Sequence, residues 1–143
     1  MRIIQIALIL FIALLFTGCA ATGSHFSGVE LPSKDNGAIY FLRRSNFVGA
    51  AYCPPIEIDG TDIGCLKNGG FIRYETTSGP HEIKIRKRFL EVGDEITETL
   101  ELRDDDVIFY EWGFLSSDSF NEVLGEHPKK DAIKILKSLK ESL

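Results

Sequence analysis

Histidine, cysteine, methionine and tryptophan are scarce in this chain: its 143 residues include three His, three Cys, one Met and one Trp. His25, His81 and His127 are dispersed, and none has a close sequence partner of catalytic type. The sequence therefore offers no histidine-based metal centre and no nucleophile–base pair. Asp104-Asp105-Asp106 is the densest acidic run, but it lacks the repeated oxygen ligands and later Glu of a dedicated calcium loop and reads as a solvated turn. Positive charge is in deficit, with 16 Lys and Arg against 21 Asp and Glu, a net charge of −5. A mildly acidic chain is a poor nonspecific binder of nucleic acid. No catalytic residue, cofactor or metal site is expected, and an enzyme is the weaker class.

Long apolar runs are lacking too, with one exception. Met1 and Arg2 make a short basic start, and Ile3 to Phe16 is apolar except for Gln5. This is the layout of a secretory signal, and it falls short of the roughly 18 to 20 residues that a spanning helix needs. Thr17 and Gly18 are small, and Leu15-Phe16-Thr17-Gly18-Cys19 resembles the lipobox of bacterial lipoproteins. In such proteins the cysteine thiol accepts a diacylglycerol and the small residue before it gives the peptidase access to the bond. The resemblance implies that residues 1–18 are a signal peptide and that Cys19 carries the lipid. It further implies three acyl chains on the new N-terminus, enough for stable anchoring. With Ala20 in place of the Asp common at inner-membrane retention signals, the resemblance implies the outer membrane facing the periplasm in a two-membrane cell, and the outside of the cell in a single-membrane one.

Removing 18 residues leaves 143 − 18 = 125, with a charge of 15 − 21 = −6 once Arg2 is gone. That is one domain's length, with room for a modest core. Residues 19–37, rich in Thr, Gly, Ser, Pro, Lys, Asp and Asn, lack periodicity and read as the lipidated N-terminus and a flexible tether. Cys53 and Cys65 would meet an oxidising compartment after export. They either form a disulfide across a hairpin or remain two small buried thiols.

From Ala38, short runs of Ile, Val, Phe and Tyr alternate with Gly, Asn, Asp and Pro every eight to twelve residues, the pattern of an all-β sandwich. The expected fold is mainly β, an antiparallel sandwich of about seven strands over residues 38–115, followed by one or two helices over 116–143. The strands expected are Ala38–Arg43, Tyr52–Ile58, Ile63–Leu66, Phe71–Thr76, His81–Phe89, Ile96–Leu102 and Val107–Phe114. Asp59-Gly60 supplies a short hairpin turn after Ile56-Glu57-Ile58. In His81–Phe89 the faces separate into Ile83, Ile85 and Phe89 against Lys84, Arg86 and Arg88, with Lys87 out of pattern. A turn at Val92-Gly93-Asp94 would join this strand to Ile96–Leu102 and bring the face of Glu95, Thr97, Thr99 and Glu101 beside the basic stripe. Tyr110, Trp112 and Phe114 share a face and are expected in the core, the alternative being an exposed aromatic row that binds glycan. Ser119-Phe120-Asn121-Glu122 matches a capping box and predicts a short helix before Gly125. A second helix after Pro128 would carry an apolar stripe of Ala132, Leu136, Leu139 and Leu143, expected to pack on the domain.

Several landmarks recur in order: Ala38-Ile39-Tyr40-Phe41-Leu42-Arg43, Phe47-Val48-Gly49, Pro54-Pro55, Ile58-Asp59-Gly60, Ile63-Gly64, Asn68-Gly69-Gly70 and Gly79-Pro80-His81-Glu82-Ile83. Together they resemble the uncharacterised, DUF2846-like domain of small bacterial lipoproteins, related in pattern to PEGA-type β-sandwich modules of the envelope. The resemblance implies an envelope binding or structural module and lends no catalytic residues. Its partners would be the membrane, through the lipid, and envelope proteins or cell-wall glycan. An envelope enzyme, an enzyme inhibitor and a glycan-binding module are the alternatives.

Overall fold

The computed structural model describes residues 20–87, 95–116 and 119–142. Strand β1 (Asn36–Leu42) forms first in the chain and lies at the centre of the larger sheet, between β7 (Val107–Ser116) and β4 (Gly70–Thr77). That sheet runs β8-β7-β1-β4-β9, with β8 at Ser119–Glu126 and β9 at Lys140–Glu141. The smaller sheet runs β3-β2-β5-β6, with β2 at Pro55–Ile58, β3 at Thr61–Cys65, β5 at Gly79–Ile85 and β6 at Ile96–Leu102. All seven strands expected from the sequence are present.

Alternation places the core. Ile39 and Phe41 of β1, Tyr110 and Trp112 of β7, and partly buried Ile72 and Tyr74 of β4 face Ile56, Ile58, Ile83, Ile85, Leu100 and Leu102 of the other sheet. The opposite side chains of β1, Tyr40 and Leu42, are equally buried, because they pack with Phe71 and Phe109 beneath Ala132, Leu136 and Leu139. Strand β1 reads as an unbroken apolar run for that reason: both of its faces are covered. Helix α1 (Lys129–Leu136) starts after Pro128 and lays its apolar stripe on this outer face. Leu143 lies outside the described residues.

The structure departs from the sequence expectations in four places. The sheets are not wholly antiparallel, since β1 pairs with β7 in parallel from Ala38↔Val107 to Leu42↔Glu111, and β4 pairs with β9 in parallel. Ser119–Glu126 is a strand rather than a helix, so one helix follows the sandwich and not two. Leu124 pairs opposite Trp112 and packs against the core while Val123 faces outward, and Glu122 accepts a hydrogen bond from Trp112 Nε1 at 3.2 Å. The long partner strand β7 thus overrides a local capping signal.

Residues 20–35, expected as a free tether, lie along the domain. Phe26 and Val29 pack on the outer cluster, with the Phe26 ring edge-on to Tyr40 and Phe71 at 6.3 and 5.9 Å. Two apolar side chains in a polar segment are enough to dock it when they meet an exposed aromatic surface. Its polar groups are also fixed. The Ser33 hydroxyl and amide, the Asn36 amide and Arg73 all bond Glu75, and together they hold that carboxyl far below the usual carboxylate range.

The basic stripe of β5 is neutralised mainly from its other side. Arg86 pairs with Glu57 at 3.0 Å and with Asp62, and Lys84 pairs with Glu82 at 2.6 Å. The β6 residue opposite Lys84 is Thr97. The Val92-Gly93-Asp94 turn and Phe89 lie outside the described residues.

Candidate functional site

The segment between β1 and β2 is built around one buried cation. Arg43 follows the last residue of β1, and alternation turns its side chain inward with Ile39 and Phe41. It is 2 % exposed. A guanidinium in that position is tolerated only when its donors are satisfied, and carbonyls supply the partners. Its Nη1 donates to the Tyr52 carbonyl at 2.5 Å and to the Leu66 carbonyl at 3.0 Å, and its Nη2 donates to the Gly49 carbonyl at 2.7 Å. The same group lies 4.7 Å over the Trp112 ring, where the π face adds attraction. Tyr52 and Phe114 flank that ring at 5.6 and 5.2 Å.

Glycine is required at one point of this loop. Gly49 has φ of +72°, and a Cβ there would lie 2.7 Å from the Phe114 ring. The loop's far end is stapled by a disulfide between Cys53 and Cys65, whose Cα atoms are 5.4 Å apart. The two cysteines are 12 positions apart, and in the chain-entropy model closing a loop of that length stabilises the fold by about 3 kcal/mol. Between Arg43 and Gly49, Phe47 projects into solvent, 95 % exposed.

The start of the described chain meets this loop. The Ala21 amide donates to the Asn68 carbonyl at 3.1 Å, and the Asn68 Oδ1 accepts the Asn46 amide at 2.9 Å. Gly70 lies against Ala21, where a Cβ would be 2.9 Å from the Ala21 Cβ. Cys19 itself lies outside the described residues, but Ala20, its neighbour, bridges Asn68.

Beside the loop is an open groove lined by Arg44, His127, Asp131, Lys134, Ile135 and Ser138. Glu111 holds two side chains on its rim, Arg44 at 2.9 Å and the His127 ring at 2.8 Å, while Lys134 pairs with Asp131 at 3.1 Å. The Glu111 carboxylate is engaged by both Arg44 and His127, and no hydroxyl or thiol is bonded to His127 to serve as a nucleophile among the described residues.

Asp59 and His81 make a second polar cluster, at the opposite end of β2. His81 Nδ1 lies 2.6 Å from Asp59 Oδ2, and Nε2 lies 2.8 Å from the Thr77 carbonyl. Both partners are acceptors, so the arrangement favours the doubly protonated ring. Burial pulls its pKa down, but the bonds to Asp59 and Thr77 and the attraction of Asp59 and Glu101 leave it above the ordinary value. Asp59 is held below its ordinary value, first by the Glu82 amide and then by His81. The ring pins the β2–β3 turn, where Asp59 and Gly60 both have positive φ, to the start of β5.

A pH dependence follows from the two directions. A raised histidine pKa favours the fold below its unfolded value of about 6.5, and the gain disappears as pH rises through the raised value. A depressed carboxyl pKa favours the fold above about 4, and that gain disappears on acidification through the depressed value. The pair therefore supports the fold best between about pH 4 and 6.5. His81→Gln should flatten the fall in melting temperature above pH 6.5, and identical slopes for variant and wild type would remove the pair as its cause.

Two of the sequence-level candidates, Cys53 and Cys65, are thus brought together in the structure. Asp104 and Asp105 form the β6–β7 turn, where the Asp106 carboxylate accepts the Arg103 amide at 3.1 Å and the Asp105 amide donates to the Asn36 carbonyl at 2.9 Å. Among the described residues no group of three or more His, Cys, Asp or Glu is placed to hold a metal ion. Tyr110 and Trp112 are buried and Phe114 is partly buried, so this row is a core element and not an exposed platform for sugar. Sequence reasoning missed Arg43 and Phe47; the available signals were an Arg closing an apolar strand and a Phe-Val pair inside a loop.

No curated protein and no solved structure matches the chain. A family model described as "Protein of unknown function (DUF2846)" matches residues 33–123. The match begins just before β1 and ends within β8, so it takes in Arg43, the braced loop, both disulfide cysteines and His81. Covering well over half of the sequence, it makes the chain a member of the DUF2846 family.

Proposed function

We propose that this protein is a lipid-anchored lipoprotein of the cell envelope, held at the outer membrane facing the periplasm, whose domain is a binding or structural module and not an enzyme. The observation that carries the reading is Gly18-Cys19 at the end of a basic-start, fourteen-residue apolar segment. A disulfide-bonded fold suits export to an oxidising compartment. The module reading is supported by the way the polar clusters are used: Arg43, His81 and Glu75 are each engaged in holding backbone or neighbouring segments together. Such groups shape a surface and leave no free acid–base pair among the described residues.

Cys19→Ser is the direct test. Wild-type protein should incorporate labelled fatty acid and sediment with membranes, and the variant should lose both. Retention of label by the variant would disprove the anchor.

A further inference from the structure

Resting on the anchor reading, we propose that the loop Ser45–Ala51 is a membrane-docking tip: Phe47 inserts into the lipid interface beside the acylated N-terminus and seats the domain directly on the bilayer. Three observations converge on it. The first is shape. Phe47 is 95 % exposed on a loop that is not free to collapse, because Arg43 grips the Gly49 and Tyr52 carbonyls, the Ala50 amide donates to the Phe47 carbonyl at 3.1 Å, and the Val48 amide donates to Asn46 Oδ1 at 3.2 Å. A braced loop that presents a large aromatic ring to solvent is suited to an apolar or interfacial partner.

The second is position. Ala20 bridges Asn68, the Ala21 amide bonds the Asn68 carbonyl, and the Asn68 side chain holds Asn46, the residue before Phe47. Consecutive Cα atoms are about 3.8 Å apart, so a lipid on Cys19 has no slack chain between it and this corner. The docked segment 20–35 removes the spacer that would otherwise lift the domain away. Ala20, next in sequence to Cys19, and the Phe47 loop thus lie at the same end of the sandwich.

The third is charge. From Ser45 to Ile56 the sequence Ser-Asn-Phe-Val-Gly-Ala-Ala-Tyr-Cys-Pro-Pro-Ile holds no ionisable group except the Tyr52 phenol and the disulfide-bonded Cys53. The loop itself therefore carries no carboxylate or ammonium into the interface, and the charges beside it, Arg44 and Glu111, are paired with each other at 2.9 Å. A bilayer, and not a protein, is the occupant favoured, because it is what the neighbouring residue is chemically suited to enter.

The test uses the full, lipidated protein in phosphatidylethanolamine–phosphatidylglycerol vesicles, with or without brominated acyl chains, and with Trp placed at Phe47 or Asp104. Wild-type Trp112, 2 % exposed, supplies the baseline. Asp104 belongs to the β6–β7 turn, next to Asn36 at the other end of β1, about 20 Å along that strand from the loop. Insertion to interfacial depth predicts that F47W loses about half or more of its added emission on brominated lipid while D104W is unaffected. Unquenched F47W in protein that floats with vesicles and carries fatty acid would overturn docking and leave the anchor standing. Equal quenching at both positions would overturn it as well. Absence of fatty acid and of flotation would remove the anchor reading, and docking with it.

Discussion

Ile85→Lys should destabilise the fold by more than about 4 kcal/mol, by placing an ammonium where no partner can reach it. Ile85 is fully buried, stands opposite Ile56 on one side and Ile96 on the other, and belongs to the cluster that joins the two sheets. One residue earlier the outcome should reverse. Lys84 is partly exposed and pairs with Glu82, so Lys84→Glu exchanges a surface pair for mild repulsion and should change stability little. At about 4 °C per kcal/mol for a domain of this size, the two variants should melt more than 10 °C apart. Ile85→Val, which only trims a methylene, should fall near the second and guard against a general intolerance at the site. Coincident melting of Ile85→Lys and Lys84→Glu would mean that the faces of β5 are reversed.

This contrast was legible in the sequence because it depends on period-two alternation, and alternation is a local property. The same holds for the Asp59-Gly60 hairpin and for the inward row of Tyr110 and Trp112. What the sequence did not convey is where a segment goes when its own pattern is weak. Ser119–Glu126 carries a capping-box motif, yet it pairs with β7 from Tyr110↔Glu126 to Ser116↔Ser119, a long-range partnership that no short window records. Residues 20–35 look like a spacer until Phe26 and Val29 are set against Tyr40 and Phe71, side chains from three separate stretches that form one surface only after folding.

The candidate site was harder still to foresee, because it depends on backbone carbonyls. The partners of Arg43 are the main chain of Gly49, Tyr52 and Leu66, and any residue could have supplied those oxygens. Its position was visible, closing an apolar strand, while its role was not. Lys87 is the counterexample: its break from the alternating pattern was apparent, and the structure gives it a reason, an ion pair with Glu122 that links the end of the smaller sheet to β8. Glu122 also holds the Trp112 indole, so the pair extends the braced region around that ring.

Arg43→Ala should cost about 3 to 5 kcal/mol, because it removes one buried side chain and leaves one buried and two part-buried carbonyls to find new donors. Two mechanisms could contribute, and different substitutions separate them. If attraction to the Trp112 ring dominates, Arg43→Lys keeps a cation near the indole and should recover most of the loss. If bridging of three carbonyls dominates, Lys should recover less than half, since a single ammonium cannot span groups on the Gly49, Tyr52 and Leu66 backbones as a planar guanidinium does. We expect the second result. The disulfide and the core should keep Arg43→Lys folded, so its loop can be probed under native conditions. Proteolysis within Ser45–Ala51 should then accelerate well before global unfolding, because the Gly49 and Tyr52 carbonyls that shape the loop are released. Unchanged cleavage, together with a melting temperature near that of wild type, would show that the loop holds its form without Arg43, and Phe47 would then owe its exposure to some other brace.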